Sequence, residues 1–167
     1  MKIAPTRAVS TTAVDYAIAA AQIQRLLGKS LSTVYELRQL DEDDLLIFNE
    51  DITKNYYGAS KKTHAIRLAV ARKKGPGKPA LAMIAYKDSS KKSVLTVRAT
   101  GQDELLTAEE QSRMVILCLH TVLHYAALTS TPTIRVRRIG PRHFDFFKML
   151  GFDVKKEGML HHAYLHL

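Results

Sequence analysis

Residues 94–128 read VLTVRATGQDELLTAEEQSRMVILCLHTVLHYAAL, and this stretch decides the fold. Its beginning, Val94 to Arg98, has the apolar and polar alternation of a β-strand. Thr107 and Glu110 then stand in the capping-box spacing that opens a helix, which the apolar pattern continues through Leu128. The apolar residues of this helix share one wide face: Met114, Val115, Cys118, Leu119, Val122 and Ala126. The stretch therefore predicts a strand followed by a long amphipathic helix.

Two further segments with strand character precede it, at 65–71 and 80–86. The connections 74–78 and 87–92 contain the turn-forming residues Gly, Pro, Asp and Ser. Short polar turns favour antiparallel neighbours, so these two strands and 94–98 are predicted to form a meander.

The residues upstream predict a strand and two helices. Residues 33–40 are predicted to be a strand, and the acidic run 41–44 is predicted to start a helix that continues toward Tyr56, because carboxylates are favoured at a helix N-terminus. Residues 11–27 have near-helical apolar spacing, with Gly28 at the expected C-cap. We therefore expect an N-terminal helical extension over 1–32 and the main domain over 33–167.

The residues downstream complete the element order. Residues 133–137 alternate as a strand, Pro141 starts a short helix through Leu150, and Gly151 ends it. Residues 153–167 are predicted to form a hairpin around Glu157 and Gly158.

Composition limits the class of protein. A chain of 167 residues with 46% hydrophobic and 25% charged residues is the size and balance of one globular domain. The single cysteine excludes an intrachain disulfide, and no apolar run has the length of a membrane helix, so we expect a cytoplasmic protein. The net charge of +9 predicts an anionic partner, without choosing among nucleic acid, an anionic membrane surface, an acidic protein and a polyphosphate cofactor.

Two short stretches resemble a known family. Residues 35–44, YELRQLDEDD, and 146–152, FFKMLGF, are similar to the first strand with its following helix start and to the late helix of the GNAT superfamily of acyl-coenzyme A dependent N-acyltransferases. The element order from residue 33 onward is also that of the family. The resemblance implies an α/β (α+β) fold with a mixed, mostly antiparallel central sheet flanked by helices, here with the extra N-terminal helix.

The resemblance also implies a coenzyme A site with acetyl-coenzyme A as the donor. A gap beside the strand 94–98 would admit pantetheine, and a turn before the long helix would hold the pyrophosphate. The residues implied are Val97, Arg98 and Ala99 for pantetheine, and Gln111, Ser112 and Arg113 nearest the pyrophosphate. The sequence departs from the family here, because residues 101–114 contain one early glycine and four carboxylates where the family has a glycine-rich turn.

The catalytic groups implied by the resemblance are Glu104 and His143. Glu104 would remove the amine proton, directly or through water, and His143 would stabilise or protonate later species. Phe147 stands where many members have a tyrosine that protonates the leaving thiolate, and phenylalanine has no proton to donate. The resemblance implies that the acceptor is an amine of a small molecule or a protein.

A cluster of arginines carries the alternative function. Arg135, Arg137, Arg138 and Arg142 form the densest basic feature, suited to coenzyme A phosphate, a substrate carboxylate or a nucleic-acid backbone. The alternative is a catalytically inactive GNAT-like module that binds nucleic acid or an acidic protein through this basic face. A third possibility is an enzyme of the same fold with another acyl donor.

Histidines do not predict a metal site. His120 and His124 are spaced i, i+4 on the long helix, but two ligands are too few and the sequence has no HExxH motif. Cys118 falls on the apolar helix face, where an inert buried thiol is expected rather than a nucleophile. The oligomeric state is left open.

Overall fold

A computed structural model of the chain describes residues 34–59, 65–74, 78–88, 91–101 and 106–167. The predicted helix at 11–27 and the candidate Glu104 lie outside these residues. The strands are β1 (Tyr35–Gln39), β2 (Ala65–Arg72), β3 (Leu81–Asp88), β4 (Lys91–Gly101), β5 (Thr133–Val136), β6 (Asp153–Glu157) and β7 (Leu160–His166). The α-helices are α1 (Glu50–Ala59), α2 (Ala108–Leu128) and α3 (Phe144–Met149), with 3-10 helices at Glu42–Ile47 and Pro141–His143.

The strands form a seven-stranded sheet in the order β1-β2-β3-β4-β5-β7-β6. The predicted meander is confirmed, because β1 through β4 pair antiparallel in sequence order. β4 and β5 pair parallel, with α2 as the crossover between them. β7 lies between β5 and β6 and pairs antiparallel with both. The predicted fold class, a mixed and mostly antiparallel sheet flanked by helices, is thereby confirmed.

Alternation along the strands gives the sheet two apolar faces. Met83 and Val97 belong to the core cluster that α2 covers with Met114 and Leu119. Neighbouring positions such as Ile84 face the opposite side. There they pack in a second cluster with Leu40, Leu45 and Ile52, from the chain around the first 3-10 helix and from α1.

The predicted helix over 41–56 is two separate helices. The 3-10 helix ends at Ile47, and Phe48 has an extended backbone. The Asn49 side chain then caps α1 by accepting a hydrogen bond from the backbone N–H of Ile52 at 3.1 Å. The acidic start is explained by local bonding, because Arg38 donates to both carboxylate oxygens of Asp44 at 2.8 Å. The apolar pattern alone did not indicate this break.

The long helix begins where the sequence predicts. Thr107 is the N-cap, and its hydroxyl accepts a hydrogen bond from the Glu110 backbone N–H at 3.1 Å. Only half of a capping box forms, because the Glu110 side chain pairs with Arg72 and with the hydroxyl of Tyr35. Cys118 is fully buried on this helix, and burial raises the pKa of its thiol.

The C-terminal half follows the prediction closely. The late helix is a 3-10 turn followed by α3, and Gly151 ends it at a φ of +94°, a conformation that side chains rarely adopt. The terminal hairpin turns at Gly158. Within the described part of the chain, none of the helices has the combined length and apolarity needed to cross a membrane.

Candidate functional site

The sheet opens between β4 and β5. Their pairing ends at Val97 and Val136, and the Arg137 backbone N–H donates to the Val97 carbonyl at 2.9 Å. Beyond that bond β4 continues to Gly101, still paired with β3. The chain after β5 turns away, because the Ile139 backbone N–H donates to the carbonyl of His161 at 3.0 Å. The two central strands therefore diverge toward their carboxyl ends.

This divergence leaves an unpaired strand edge of β4 facing the gap at Ala99. The Val97 carbonyl points toward β5, and the direction of backbone groups alternates along a strand. The N–H and C=O of Ala99, two residues later, therefore also point into the gap. They lie beyond the last residue of β4 that pairs with β5.

A cavity of about 820 Å³ occupies the gap. On one face of the sheet its wall comes from α2, and on the other from the segment that joins the first 3-10 helix to α1. The wall residues from these two layers are Gln111, Ser112, Val115 and Leu119 from α2, and Ile47, Phe48 and Asn49 from the opposite side. The cavity thus has walls from the layers on both faces of the sheet.

Most of the site residues predicted from the sequence meet at this cavity. Those that line it are Arg98, Ala99, Gln111, Ser112, Arg137, Arg138, Arg142 and His143. Val97, Arg113 and Arg135 are not among its lining residues. Val97 is fully buried in the core beneath α2, so its side chain serves packing.

The candidate pyrophosphate residues lie inside a formed helix. The Gln111 backbone N–H donates to the Thr107 carbonyl at 2.9 Å, and the Ser112 hydroxyl donates to the Ala108 carbonyl at 3.0 Å. Arg113 pairs with Glu109 one turn earlier. The helix does not begin later than its cap, as direct binding of phosphate by the backbone at 111–113 would require. Only the side chains of Gln111 and Ser112 remain available at the cavity.

The carboxylates of this region point to other partners. Glu109 pairs with Arg113, and Glu110 pairs with Arg72. The Arg72 guanidinium holds the pKa of the Glu110 carboxyl below its ordinary value, so the carboxylate stays ionised within that pair. Neither side chain lines the cavity.

Arg98 is held by a residue that the sequence analysis did not single out. Its Nε donates to Asp51 Oδ2 at 2.7 Å and its Nη2 donates to the same oxygen, while Nη1 donates to the Arg137 carbonyl at 2.8 Å. The Arg98 side chain is only 10% exposed. Asp51 also lies 3.6 Å from Arg138 Nη1, so one carboxylate joins β4, α1 and the chain after β5. Its acidic helix-start position gave no signal of this long-range role.

Arg138 has an unusual backbone. Its φ is +58°, in the left-handed region that favours glycine. Its backbone N–H donates to Nδ1 of His162 on β7 at 3.0 Å. Burial lowers the pKa of His162, which favours the neutral ring that can accept this bond. His162 is 7% exposed, so its ring is largely shielded from water.

Of the two residues predicted for catalysis, His143 lies in the described part of the chain, and it lines the cavity. Burial, with a smaller contribution from the Arg142 charge, lowers its pKa. The Arg142 Nε–H donates to His143 Nε2 at 3.2 Å, which requires a lone pair on that nitrogen. Nε2 is then the basic nitrogen of the neutral ring, so His143 can accept a proton there once the Arg142 bond is released. Phe147, at the family's tyrosine position, lies nearby in the cavity wall and packs edge-on against Phe146 and Phe152.

Arg135 does not line the cavity, unlike the other arginines of the predicted cluster, Arg137, Arg138 and Arg142. Its Nη2 donates to the Thr96 hydroxyl at 3.0 Å, and its Nε is buried with no hydrogen-bond partner among the described residues. The described residues contain no group of three or more His, Cys, Asp or Glu side chains placed to hold a metal ion.

Comparison with known proteins identifies the fold but no close relative. No protein-family model matches the chain, and no curated protein matches its sequence. Solved structures do match. The PaiA N-acetyltransferase of Thermoplasma acidophilum, in complex with coenzyme A, superposes with a TM-score of 0.56 at 11% identity, covering 80% of this chain and 99% of that chain.

Two further structures agree. The GNAT domain of S. lividans PAT gives a TM-score of 0.53 at 12% identity, covering 80% of this chain and 90% of that chain. An aminoglycoside acetyltransferase in complex with coenzyme A gives 0.53 at 11% identity, covering 79% and 94%. The chain therefore has the GNAT fold, as the resemblance in its sequence implied, with a sequence far from these structures.

Proposed function

We propose, from the GNAT fold of this chain and the gap in its sheet, that the protein is an acyl-coenzyme A dependent N-acyltransferase, with acetyl-coenzyme A as the donor and an amine as the acceptor. The observation that carries the proposal is the cavity through the diverging strands, with the backbone of Ala99 facing it. A module that binds nucleic acid through a basic surface has no need of such a cavity, so the geometry favours the transferase over the noncatalytic alternative.

The described residues suit the donor in three respects. The N–H and C=O of Ala99 offer a donor and an acceptor for the amide groups of pantetheine. The side chains of Gln111 and Ser112 line the α2 side of the cavity, where the pyrophosphate would lie. Two of the four carboxylates in this region, Glu109 and Glu110, are paired with arginines, which reduces their repulsion of a diphosphate.

Acetyl-coenzyme A supplies the acyl group as a thioester, for transfer to a neutral amine. The chain's own contribution is to orient the reactants across the gap and to accept the proton that the amine loses. His143 is our candidate for that acceptor, because its lowered pKa keeps the ring neutral near pH 7. Glu104, which lies outside the described residues, remains a second candidate for the same role.

The first test is thermal unfolding at fixed salt with and without millimolar acetyl-coenzyme A, with adenosine 3′,5′-bisphosphate as the control for simple polyanion binding. Ligand at a hundredfold excess over its Kd adds about 2.7 kcal/mol. That corresponds to a rise in Tm of about 5 to 10 °C for a domain of this size. The absence of a Tm shift specific to acetyl-coenzyme A would contradict the proposal.

A variant at the strand edge makes the test local. Ala99→Leu adds three carbon atoms at the gap and should abolish the acetyl-coenzyme A shift. Ala65→Leu, at a partly buried alanine of β2 outside the cavity, is the matched control and should keep it. Equal shifts in both variants would place the donor elsewhere. The cytoplasmic location and the nucleic-acid or acidic-protein partner stay predictions.

A further inference from the structure

The cavity is lined by cationic side chains. Four arginines contribute to its wall, and among the described residues no aspartate or glutamate lines it. The arginines are Arg98, Arg137, Arg138 and Arg142. An acceptor amine that carries further positive charges would meet this field unfavourably, whereas one that carries a negative charge would be attracted. The phosphates of the donor would offset some of these cations, so selection of the acceptor requires a cation on the acceptor side of the cavity.

Arg138 is that cation. Its contact with Asp51 places it toward α1, on the sheet face opposite α2. Asp51 is already bonded twice by Arg98, and its distance to Arg138 Nη1 is 3.6 Å, too long for a hydrogen bond. Two guanidinium groups thus share one carboxylate, which leaves one uncompensated positive charge. The Arg138 side chain is 47% exposed and can reach a ligand.

The backbone supports a role for this particular side chain. A residue with φ of +58° is tolerated best when it is glycine, yet this position has an arginine. The bond from its backbone N–H to buried His162 fixes the strained conformation. Strain that neighbouring groups maintain beside a cavity is a feature of ligand sites.

We propose, resting on the transferase function above, that the α1 side of the cavity selects acceptor amines that also bear a carboxylate, and that Arg138 binds this carboxylate. The group of Arg98, Arg138 and Asp51 carries one net positive charge, which matches the single negative charge of a carboxylate, and the planar guanidinium of Arg138 matches its two oxygens. Arg98 and Asp51 hold the neighbouring backbone and set the position of the binding arginine.

The test is a thiol-release assay with acetyl-coenzyme A and matched acceptor pairs. The pairs are leucine with leucinamide and 4-aminobutyrate with 4-aminobutanamide, and spermidine serves as the polycationic acceptor. Rates are compared at equal concentrations of neutral amine. Wild-type protein should favour the carboxylate member of a pair by at least tenfold in kcat/KM. Saturable binding of the carboxylate members in the presence of coenzyme A is measured separately by calorimetry.

Three variants make the assignment specific. Arg138→Gly should remove the preference for the carboxylate member of each pair while leaving the Tm nearly unchanged, because glycine adopts this backbone without strain. Arg138→Lys should retain part of the preference. Lys156→Gln removes one exposed charge outside the cavity lining and should behave as wild type.

The outcomes separate this inference from the function on which it rests. Preference for the amides or for spermidine, or equal rates within pairs, overturns the inference and leaves the transferase function standing. Absence of both turnover and saturable binding for every carboxylate probe, with the acetyl-coenzyme A shift intact, also overturns it. If acetyl-coenzyme A itself neither binds nor reacts, the proposed function fails and the inference fails with it.

Discussion

Replacement of Asp51 by alanine is the sharpest test of how the cavity is held together. Asp51 accepts two hydrogen bonds from the Arg98 guanidinium, whose side chain is 10% exposed. In Asp51→Ala, Arg98 keeps its bond to the Arg137 carbonyl but loses both bonds to the carboxylate. A buried cation is then left without its counter-charge.

The expected loss follows from the two unsatisfied donors. A buried donor left without a partner costs about 1 to 3 kcal/mol. The Asp51 side chain is 29% exposed, so water replaces part of the lost bonding. We therefore expect the free energy of unfolding to fall by about 2 to 3 kcal/mol, below the roughly 3 to 5 kcal/mol of a fully buried pair. This corresponds to a fall in Tm of about 5 to 10 °C.

Urea unfolding at pH 7, followed by circular dichroism, measures this loss. Glu109→Gln is the control, because it breaks an ion pair of α2 whose glutamate side chain is 75% exposed. Such an exposed pair contributes about 0.5 kcal/mol or less. The double variant Arg98→Met with Asp51→Ala should recover much of the loss, because it removes the buried charge as well.

A loss of stability in Asp51→Ala no larger than that in the Glu109→Gln control would contradict the role assigned to this ion pair. A second contradicting result would be a double variant that is less stable than Asp51→Ala, as expected if the two substitutions acted independently. Either result would mean that Arg98 does not depend on this carboxylate.

Three other perturbations test separate features. The hydrogen bond to Arg72 is the main cause of the lowered pKa of Glu110, so this pair stabilises the fold above the ordinary glutamate pKa of about 4.3 and the stabilisation is lost as the pH falls. In urea unfolding, Glu110→Gln should lack this decline in the free energy of unfolding at acid pH. A decline equal to that of the wild type would contradict the pairing. Burial lowers the pKa of His162, so the free energy of unfolding should fall as the pH drops below about 6.5. His162→Asn, which keeps an acceptor, should flatten that dependence, and a profile like that of the wild type would argue against the buried ring. Gly151→Ala, at a φ of +94°, should lower the free energy of unfolding by about 1 to 2 kcal/mol. Gly58→Ala within α1, where a Cβ would have open space, should raise it by about 0.5 to 1 kcal/mol. Equal effects of the two variants would show that the left-handed backbone at Gly151 does not require glycine.

Local sequence signals predicted the elements well. The cap at Thr107, the stop at Gly151 and the alternation of the strands each depend on residues within a few positions of one another. The break between the first 3-10 helix and α1 was missed, because an apolar pattern with helical spacing continues across it. The capping role of Asn49 becomes visible only in the extended backbone at Phe48.

The candidate site was predicted in part. The sequence singled out the arginines after β5 and His143, which line the cavity together with Arg98 and Ala99. It gave no indication of Asp51 or of the role of His162, which lie 47 and 24 positions from the residues that they bond. Contacts across such distances leave no periodicity in the chain.

The sequence by itself determined the order of strands and helices and the two apolar faces that bury them, because periodicity and capping act between near neighbours. Only the tertiary structure decided where β4 and β5 part, which arginine is neutralised and which remains available to a ligand. Those outcomes depend on Asp51, Arg138 and His162, which the sheet and its helices bring from separate elements to one cavity wall.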